Sequence, residues 1–246
     1  MNRILSSSST LCLLLALAAC SLTGRRGTDS AAAARIDAVT TAAAPPEAEG
    51  VASEASSRAD DLLAKGNRLQ AQGRCREALQ HYGMASLEAG PTQGLALAAT
   101  HLCHWQLQRP KAAEESFTLF LRHELDNGRL PVRLLFQPGE ARYLSDVRIS
   151  APYGMWLRRI AEATLASNSC LTLNGHAGPS AVEQYAAELP LRRAQAVQHQ
   201  LESIAPALKS RLRSQAAQLE EPAVGSASDD LRDALDRRVD FTLRAC

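Results

Sequence analysis

One stretch of the sequence, "LTLNGHAGPSAVEQYAAELPLRRAQAV" from Leu171 to Val197, combines residues suited to binding a carboxylate. It predicts a short strand, a Gly-His turn and an amphipathic helix whose start carries Arg192 and Arg193. A guanidinium can hold a carboxylate through two parallel hydrogen bonds. The N-terminus of a helix adds backbone N–H donors and a favourable dipole. The stretch therefore predicts a carboxylate-binding site, although its turn contains no acidic residue.

Apolar periodicity predicts the elements that would position this site. "LPVRLLF" and "CLTLN" read as strands, and the helix "PYGMWLRRIAEATLAS" lies between them with Pro152 suited to its first turn. A second helix carries an apolar stripe and is ended or kinked by Pro206. The stripe consists of Ala194, Val197, Leu201, Ile204 and Leu208. A third strand is expected near 215–219, and alternation of Val239, Phe241 and Leu243 predicts a last strand.

Three landmarks in this order resemble the OmpA-like domain, the peptidoglycan-binding module of outer membrane protein A and of peptidoglycan-associated lipoproteins. "NGHAG" at 174–178 is similar to the family's Gly-His-Thr-Asp turn, and "LPLRRAQAV" at 189–197 is similar to its helix start. "DRRVDF" at 236–241 is similar to its Asn-Arg-Arg-Val-Glu ending. The resemblance covers about residues 130–246 and implies a βαβαββ sandwich of the α+β class.

In that family an Asp of the turn and an Arg of the helix hold diaminopimelate of the peptidoglycan stem peptide. The resemblance places Arg193 at the Arg position, keeps His176, and puts Gly178 where the Asp belongs. Glu183 or Glu188 is a candidate for the missing carboxylate. The peptidoglycan interpretation requires Arg193 to face an open cleft, and the alternative is an ordinary surface arginine.

The pair Arg237-Arg238 near the C-terminus belongs to the same candidate site. We expect one of the two guanidinium groups to point into the cleft and the other to pair with an acid on the rim of the sheet. The degenerate peptidoglycan-binding set predicted from the sequence is therefore Arg193, His176, Gly178, Arg237 and Arg238.

The segment before this domain resembles tetratricopeptide repeats. In "ADDLLAKGNRLQAQGRCREALQHYGMASLEAGP" the small and large positions of one repeat are filled by Gly66, Leu69, Gly73, Ala78, Tyr82, Ala85 and Pro91. A second, degenerate pair follows in "LALAATHLCHWQLQRPKAAEESFTLFLRH", and a generic helical hairpin is the alternative. Helical repeats imply a groove for a protein partner, for which Tyr82 and Trp105 are the candidate contact residues.

The N-terminus predicts export and lipidation. Residues 1–19 have the short apolar core of a signal peptide, which is shorter than the roughly 20 residues of a membrane span. "LAAC" ending at Cys20 resembles the bacterial lipobox, which implies a lipid on Cys20 and, with Ser21 next, the outer membrane. An ordinary cleaved signal is the alternative. Residues 20–57 are rich in Ala, Ser and Pro and predict a disordered tether facing the periplasm.

Export places the remaining cysteines in an oxidising compartment. Cys75, Cys103, Cys170 and Cys246 allow three connectivities. Pairing within domains predicts Cys75–Cys103 and Cys170–Cys246, with buried thiols as the alternative.

Composition excludes several classes of partner. Lys and Arg number 27 against 26 Asp and Glu, so the net charge of +1 provides no general attraction to nucleic acid or anionic lipid. His101, Cys103 and His104 lack a second ligand cluster, so we expect neither a metal nor another cofactor. The sequence also contains no phosphate loop and no nucleophile elbow, so we expect no enzyme.

These observations predict a helical domain at 58–128 and an OmpA-like domain at 129–246. The first functional hypothesis is an outer-membrane lipoprotein that recruits a protein through its repeats and binds peptidoglycan non-covalently. The alternative is a scaffold lipoprotein of a secretion, pilus or surface-polymer system, whose C-terminal domain has lost peptidoglycan binding and docks protein.

Overall fold

A computed structural model describes residues 46–167, 169–184, 187–217, 223–227 and 229–246. The chain divides into two compact units, with the boundary between Ala96 and Leu97. The predicted signal peptide, Cys20 and the first part of the predicted tether lie outside the described residues. Within the described ranges no helix is both long and apolar enough to cross a membrane.

The first unit contains an antiparallel helical hairpin of α1 (Pro46–Ala71) and α2 (Cys75–Ala85). The predicted tether is wrong from Pro46 onward, because its Ala- and Glu-rich end continues into α1. The helices approach closely at Gly66, where an added Cβ would lie 2.4 Å from the ring of Tyr82. Gly66 and the Tyr82 ring are therefore packed directly against each other.

Tyr82 is not available as a contact for a partner. Its side chain is fully buried, and its hydroxyl oxygen lies 2.9 Å from Oδ1 of Asn67 and 2.7 Å from Oε1 of Gln70. Burial of the ring against Gly66 fills the space between the helices, so the prediction of Tyr82 as a protein-binding residue is wrong.

The second helical pair consists of α3 (Pro91–Gln106) and α4 (Pro110–Asp126). The unit boundary falls inside α3, so the predicted domain boundary at 128/129 differs from the structure. The physical reason is an aromatic cluster in the second unit, which joins this helical pair to the later helix α6 (Tyr153–Ala166). In this cluster the rings of Phe117 and Trp156 stack at 5.5 Å between centroids.

Among the described residues, the sheet of the second unit has four strands, β1 (Leu134–Leu135), β2 (Ser169–Gly175), β3 (Leu212–Ala216) and β4 (Arg238–Ala245). The strand order is β1-β4-β2-β3, with β2 and β3 parallel and the other neighbours antiparallel. The unit also contains the short helices α5 (Val147–Ser150) and α7 (Ala181–Gln184) and the long α8 (Leu189–Ile204). The mixed α+β class and the βαβαββ order are those predicted, and the third strand begins three residues earlier than expected.

The long helix α8 packs on β2 and β3. Ala194, Val197 and Leu201 of its predicted stripe are fully buried, whereas Ile204 is 41% exposed because the helix ends there. On β2 the side chains of Leu171 and Leu173 are buried. Successive side chains of a strand point to opposite faces, so Thr172 and Asn174 lie on the face away from α8.

A disulfide joins Cys170 near the start of β2 to Cys246 after β4, with 5.1 Å between the Cα atoms. This pair is one of the two predicted. Cys75 and Cys103 are buried, one in each unit, and the predicted link between them stays a prediction.

Candidate functional site

The predicted turn and the start of α8 are in direct contact. A Cβ placed on Gly175, the last residue of β2, would lie 1.7 Å from the carbonyl oxygen of Pro190. Only glycine permits this approach. The contact brings the residues after β2 beside the first turn of α8, where the sequence placed Arg193.

Arg193 is completely buried, and internal acceptors occupy its guanidinium. Nε donates to the carbonyl of Glu140, one Nη1 hydrogen to that of His176 and one Nη2 hydrogen to that of Gln137, each at 2.9 Å. The two remaining hydrogens form a bidentate pair with Glu183, at 2.6 and 2.8 Å. An arginine side chain has five N–H donors, and all five are used.

The acid of this pair is equally enclosed. The Glu183 carboxylate has no exposed surface and also accepts hydrogen bonds from the backbone N–H groups of Gly139 and Gly178. Burial acts to raise the pKa of Glu183, but the hydrogen bonds from Arg193 and Gly139 outweigh it and lower the pKa. Glu183 is therefore an ionised carboxylate held inside the protein.

These contacts correct the sequence-based picture of the site. Arg193 does not face an open cleft, and it is not an ordinary surface arginine either. Glu183, one of the two acids proposed to replace the missing Asp, does pair with Arg193, but it fills the carboxylate-binding fork itself. The guanidinium also lies 5.6 Å from the centroid of the Phe136 ring, which covers it further.

Gly178, at the position of the missing Asp, contributes its backbone N–H to Glu183 at 3.2 Å. An added Cβ would meet Asp236, Arg237 and Glu183 at 3.6 to 3.8 Å, which is ordinary contact distance. A short side chain therefore fits at Gly178, but an acidic one would enter the surroundings of the Glu183 carboxylate.

His176 and Arg238 lie on the face of the sheet away from α8 and share one acid. Nε2 of His176 lies 2.9 Å from Oδ2 of Asp240, and Nε of Arg238 donates to the same oxygen at 3.1 Å. Burial acts to raise the pKa of Asp240, but the interactions with His176 and Arg238 outweigh it and lower the pKa to about 2. Arg238 thus pairs with an acid of the sheet, as expected for one member of the Arg pair.

Arg237 does not line an open cleft, contrary to the expectation for the other member. It is 1% exposed and lies 3.2 Å from Oδ1 of Asp229. Nε and Nη2 donate to the backbone carbonyls of Phe136 and Asp230. These contacts hold the segment before β4, so Arg237 is a structural residue in this conformation.

Other residues proposed from the sequence remain apart from this site. Trp105 is partly buried on α3, and its role as a protein contact stays a prediction. No cluster of three or more His, Cys, Asp or Glu side chains is arranged to bind a metal in the part of the chain that the structure describes.

Sequence reasoning missed the backbone contribution to the site. The segment after β1 supplies the carbonyls of Gln137 and Glu140 and the N–H of Gly139, more than 40 residues from their partners. Any residue type can offer these backbone groups, so the sequence contains no signal for them.

The geometry defines an α+β domain with a closed arginine–carboxylate pair at the end of β2. No family model and no curated protein matches the chain. Among solved structures, the periplasmic domain of Helicobacter pylori MotB is similar at 15% identity and a TM-score of 0.36, over 46% of this chain and 68% of that one. The peptidoglycan-associated lipoprotein from Burkholderia pseudomallei is similar at 18% identity and a TM-score of 0.38, over 46% and 89%. Neither likeness is close enough to decide the function.

Proposed function

We propose that this chain is a non-catalytic scaffold protein of the bacterial cell envelope, whose C-terminal domain docks another envelope component without holding a stem-peptide carboxylate through Arg193. The observation that supports this choice is the saturated guanidinium of Arg193. A ligand carboxylate would have to displace Glu183, which accepts four hydrogen bonds in all.

The cost of opening the site argues against simple ligand binding. Removing one partner from a buried ion pair typically costs about 3–5 kcal/mol, because the other charge is left unpaired. A ligand carboxylate would recover part of this cost only when it rebuilds both hydrogen bonds. The free energy of binding a carboxylate through Arg193 would therefore be less favourable than in an open site by a large part of this cost of about 3–5 kcal/mol.

Sedimentation with purified peptidoglycan sacculi tests this proposal. We expect the mature chain, produced without lipid, to stay in the supernatant. Arg193→Met should not change this result, and neither should the matched control Arg192→Gln, which removes an exposed charge one residue away. Pelleting of the wild type that is lost in a folded Arg193→Met variant but kept in Arg192→Gln would overturn the proposal.

Peptidoglycan binding remains the second candidate function, and one observation favours it. The Gly175–Pro190 contact holds the turn after β2, with the backbone N–H of Gly178, close to Arg193. In this case Glu183→Gln, which removes the internal competitor's charge, should increase pelleting, and free diaminopimelate should reverse it. Gly178→Asp in the same background should increase pelleting further.

The proposed location rests on the N-terminal sequence. We propose that a lipid on Cys20 holds the chain in the outer membrane and that the helical hairpins recruit a protein partner. Cys20→Ala should release the protein from the outer-membrane fraction, with Cys12→Ala as the matched control that leaves fractionation unchanged. A Cys20→Ala protein that still fractionates with the outer membrane would contradict lipid anchoring.

A further inference from the structure

Arg133 is a second arginine on the face of the sheet away from α8. Unlike the charged groups described above, it is not paired with another described residue. Arg133 immediately precedes β1 and is partly buried. Strand β1 pairs with β4 through Leu134 and Val239, so Arg133 is next in register to Asp240. Within the described parts of the chain, no residue gives Arg133 a hydrogen bond or an ion pair.

The neighbouring acid, Asp240, is engaged by side chains other than Arg133. Oδ2 of Asp240 is contacted by His176 at 2.9 Å and by Arg238 at 3.1 Å. Oδ1 accepts a hydrogen bond from Nδ2 of Asn174 at 3.1 Å. Asp240 therefore interacts with three other side chains, whereas none of the five N–H donors of Arg133 is bonded to another described residue.

The environment of Arg133 disfavours its positive charge. Burial lowers the pKa of the Arg133 guanidinium, Arg238 lowers it further, and Asp240 acts in the opposite direction. A partly desolvated guanidinium beside a second guanidinium is unfavourable unless an anion compensates it. An anion at this position would relieve both the desolvation and the repulsion.

We propose that Arg133, together with Arg238, forms a binding site for a carboxylate on the face of the sheet opposite α8. Two guanidinium charges against the single carboxylate of Asp240 leave one positive charge when His176 is neutral. One excess charge matches a monoanion, and the planar fork of an arginine matches a carboxylate in two hydrogen bonds.

This site is separate from the Arg193–Glu183 pair and stands whether or not the scaffold function holds. Asn174 and Asp240 lie opposite each other in the β2–β4 register, on the face away from α8. Arg193 belongs to α8 and is enclosed on the other side. A carboxylate can therefore bind beside Arg133 while Glu183 stays in place.

An NMR titration of the Arg133 Nε–Hε signal with sodium acetate, at constant ionic strength made up with sodium chloride, tests the site. Acetamide serves as the uncharged isostere, and inorganic phosphate tests whether a dianion binds instead. The variant is Arg133→Gln, and the matched control is Arg213→Gln, an exposed arginine on the same face of the sheet.

We expect a saturable shift of the Arg133 signal with acetate and none with acetamide. The apparent affinity for acetate, followed on neighbouring backbone signals, should fall about tenfold or more in Arg133→Gln and stay unchanged in Arg213→Gln. Thermal stability of Arg133→Gln without acetate should be equal to or higher than that of the wild type, which a purely structural arginine would not produce. A linear response to acetate in the wild type, equal to that for chloride, would overturn the proposal. Stronger saturable binding of phosphate than of acetate would reject the carboxylate as the ligand class.

Discussion

Nε1 of Trp156 donates a hydrogen bond to Nε2 of His101 at 2.8 Å, and this bond connects α3 to α6 within the second unit. The other ring nitrogen, Nδ1, lies 2.7 Å from the carbonyl of Ala113 and donates to it. Because Nε2 accepts and Nδ1 donates, the two contacts require the neutral imidazole. Burial lowers the pKa of His101 to about 4, and the bond to Ala113 offsets only part of this shift.

The stability of the second unit should therefore decrease under mildly acidic conditions. Above the ordinary His pKa of about 6.5 the ring is neutral in both folded and unfolded chains. Between that value and about 4 only the unfolded chain binds the proton, so the free energy of unfolding should fall by roughly 3 kcal/mol in total. Below about 4 this group adds no further loss. Urea unfolding monitored by Trp fluorescence at several pH values measures the effect.

The variant His101→Asn removes the titrating ring, and the exposed His199→Asn serves as its control. We expect the first variant to be less stable at neutral pH and to lose this part of the pH dependence. The second should follow the wild type. An unchanged pH dependence in His101→Asn would show that another group is responsible.

The Arg193–Glu183 pair should behave as a coupled unit in unfolding experiments. Glu183→Gln and Arg193→Met should each destabilise by about 3–5 kcal/mol, because each leaves a buried polar partner unsatisfied. Arg193→Met should cost more, since it also leaves the carbonyls of Gln137, Glu140 and His176 without a donor. The double variant Arg193→Met/Glu183→Gln should lose less free energy of unfolding than the sum of the two single variants.

Chemical unfolding of the four proteins forms a double-mutant cycle. Strict additivity would mean that the two side chains do not interact in solution. In that event the Arg193 guanidinium would be accessible to a ligand, as the peptidoglycan interpretation requires.

Gly66 and Gly83 allow a matched test of the first helical hairpin. Gly66→Ala should destabilise it, because the added Cβ meets the Tyr82 ring at 2.4 Å. Gly83→Ala lies on α2, where an added Cβ meets no neighbouring atom within 4 Å, so it should stabilise the helix by about 0.5–1 kcal/mol. Thermal unfolding followed by circular dichroism compares the two, and equal effects would contradict the close packing.

Reduction of the Cys170–Cys246 disulfide should weaken the sheet. The bond closes a separation of 76 residues, for which chain entropy predicts about 4 kcal/mol of stabilisation. Cys246 is exposed, so mild reductant should reach it. Denaturant unfolding of Cys170→Ser/Cys246→Ser measures the loss, and no difference from the oxidised wild type would contradict it.

Mapping of non-reduced proteolytic peptides by mass spectrometry should recover the link between Cys170 and Cys246. The same experiment tests the predicted link between Cys75 and Cys103. Peptides in which Cys75 and Cys103 are both alkylated before reduction would show that this second prediction is wrong.

The sequence determined the order and type of the four strands and of helices α6 and α8 in the second unit. Spacings of three and four along 194–201 identified the buried face of α8, and alternation from Val239 to Phe241 identified β4. These signals are local, because the spacing of apolar residues that marks a helix or a strand involves residues close together in the chain. The link between Cys170 and Cys246 was predicted from pairing within domains.

Tertiary structure decided which groups Arg193 meets. Its acceptors come from the segment after β1, from the turn after β2 and from α7, and most of them are backbone carbonyls that no residue pattern marks. The boundary after Ala96 likewise depends on the cluster around Trp156, which is formed by segments far apart in the chain. Position along the sequence predicted that an arginine stands at this turn. Long-range packing decided whether the Arg193 charge faces a ligand or an internal acid. A buried charge is costly unless an opposite charge is buried beside it, and the fold places Glu183 there.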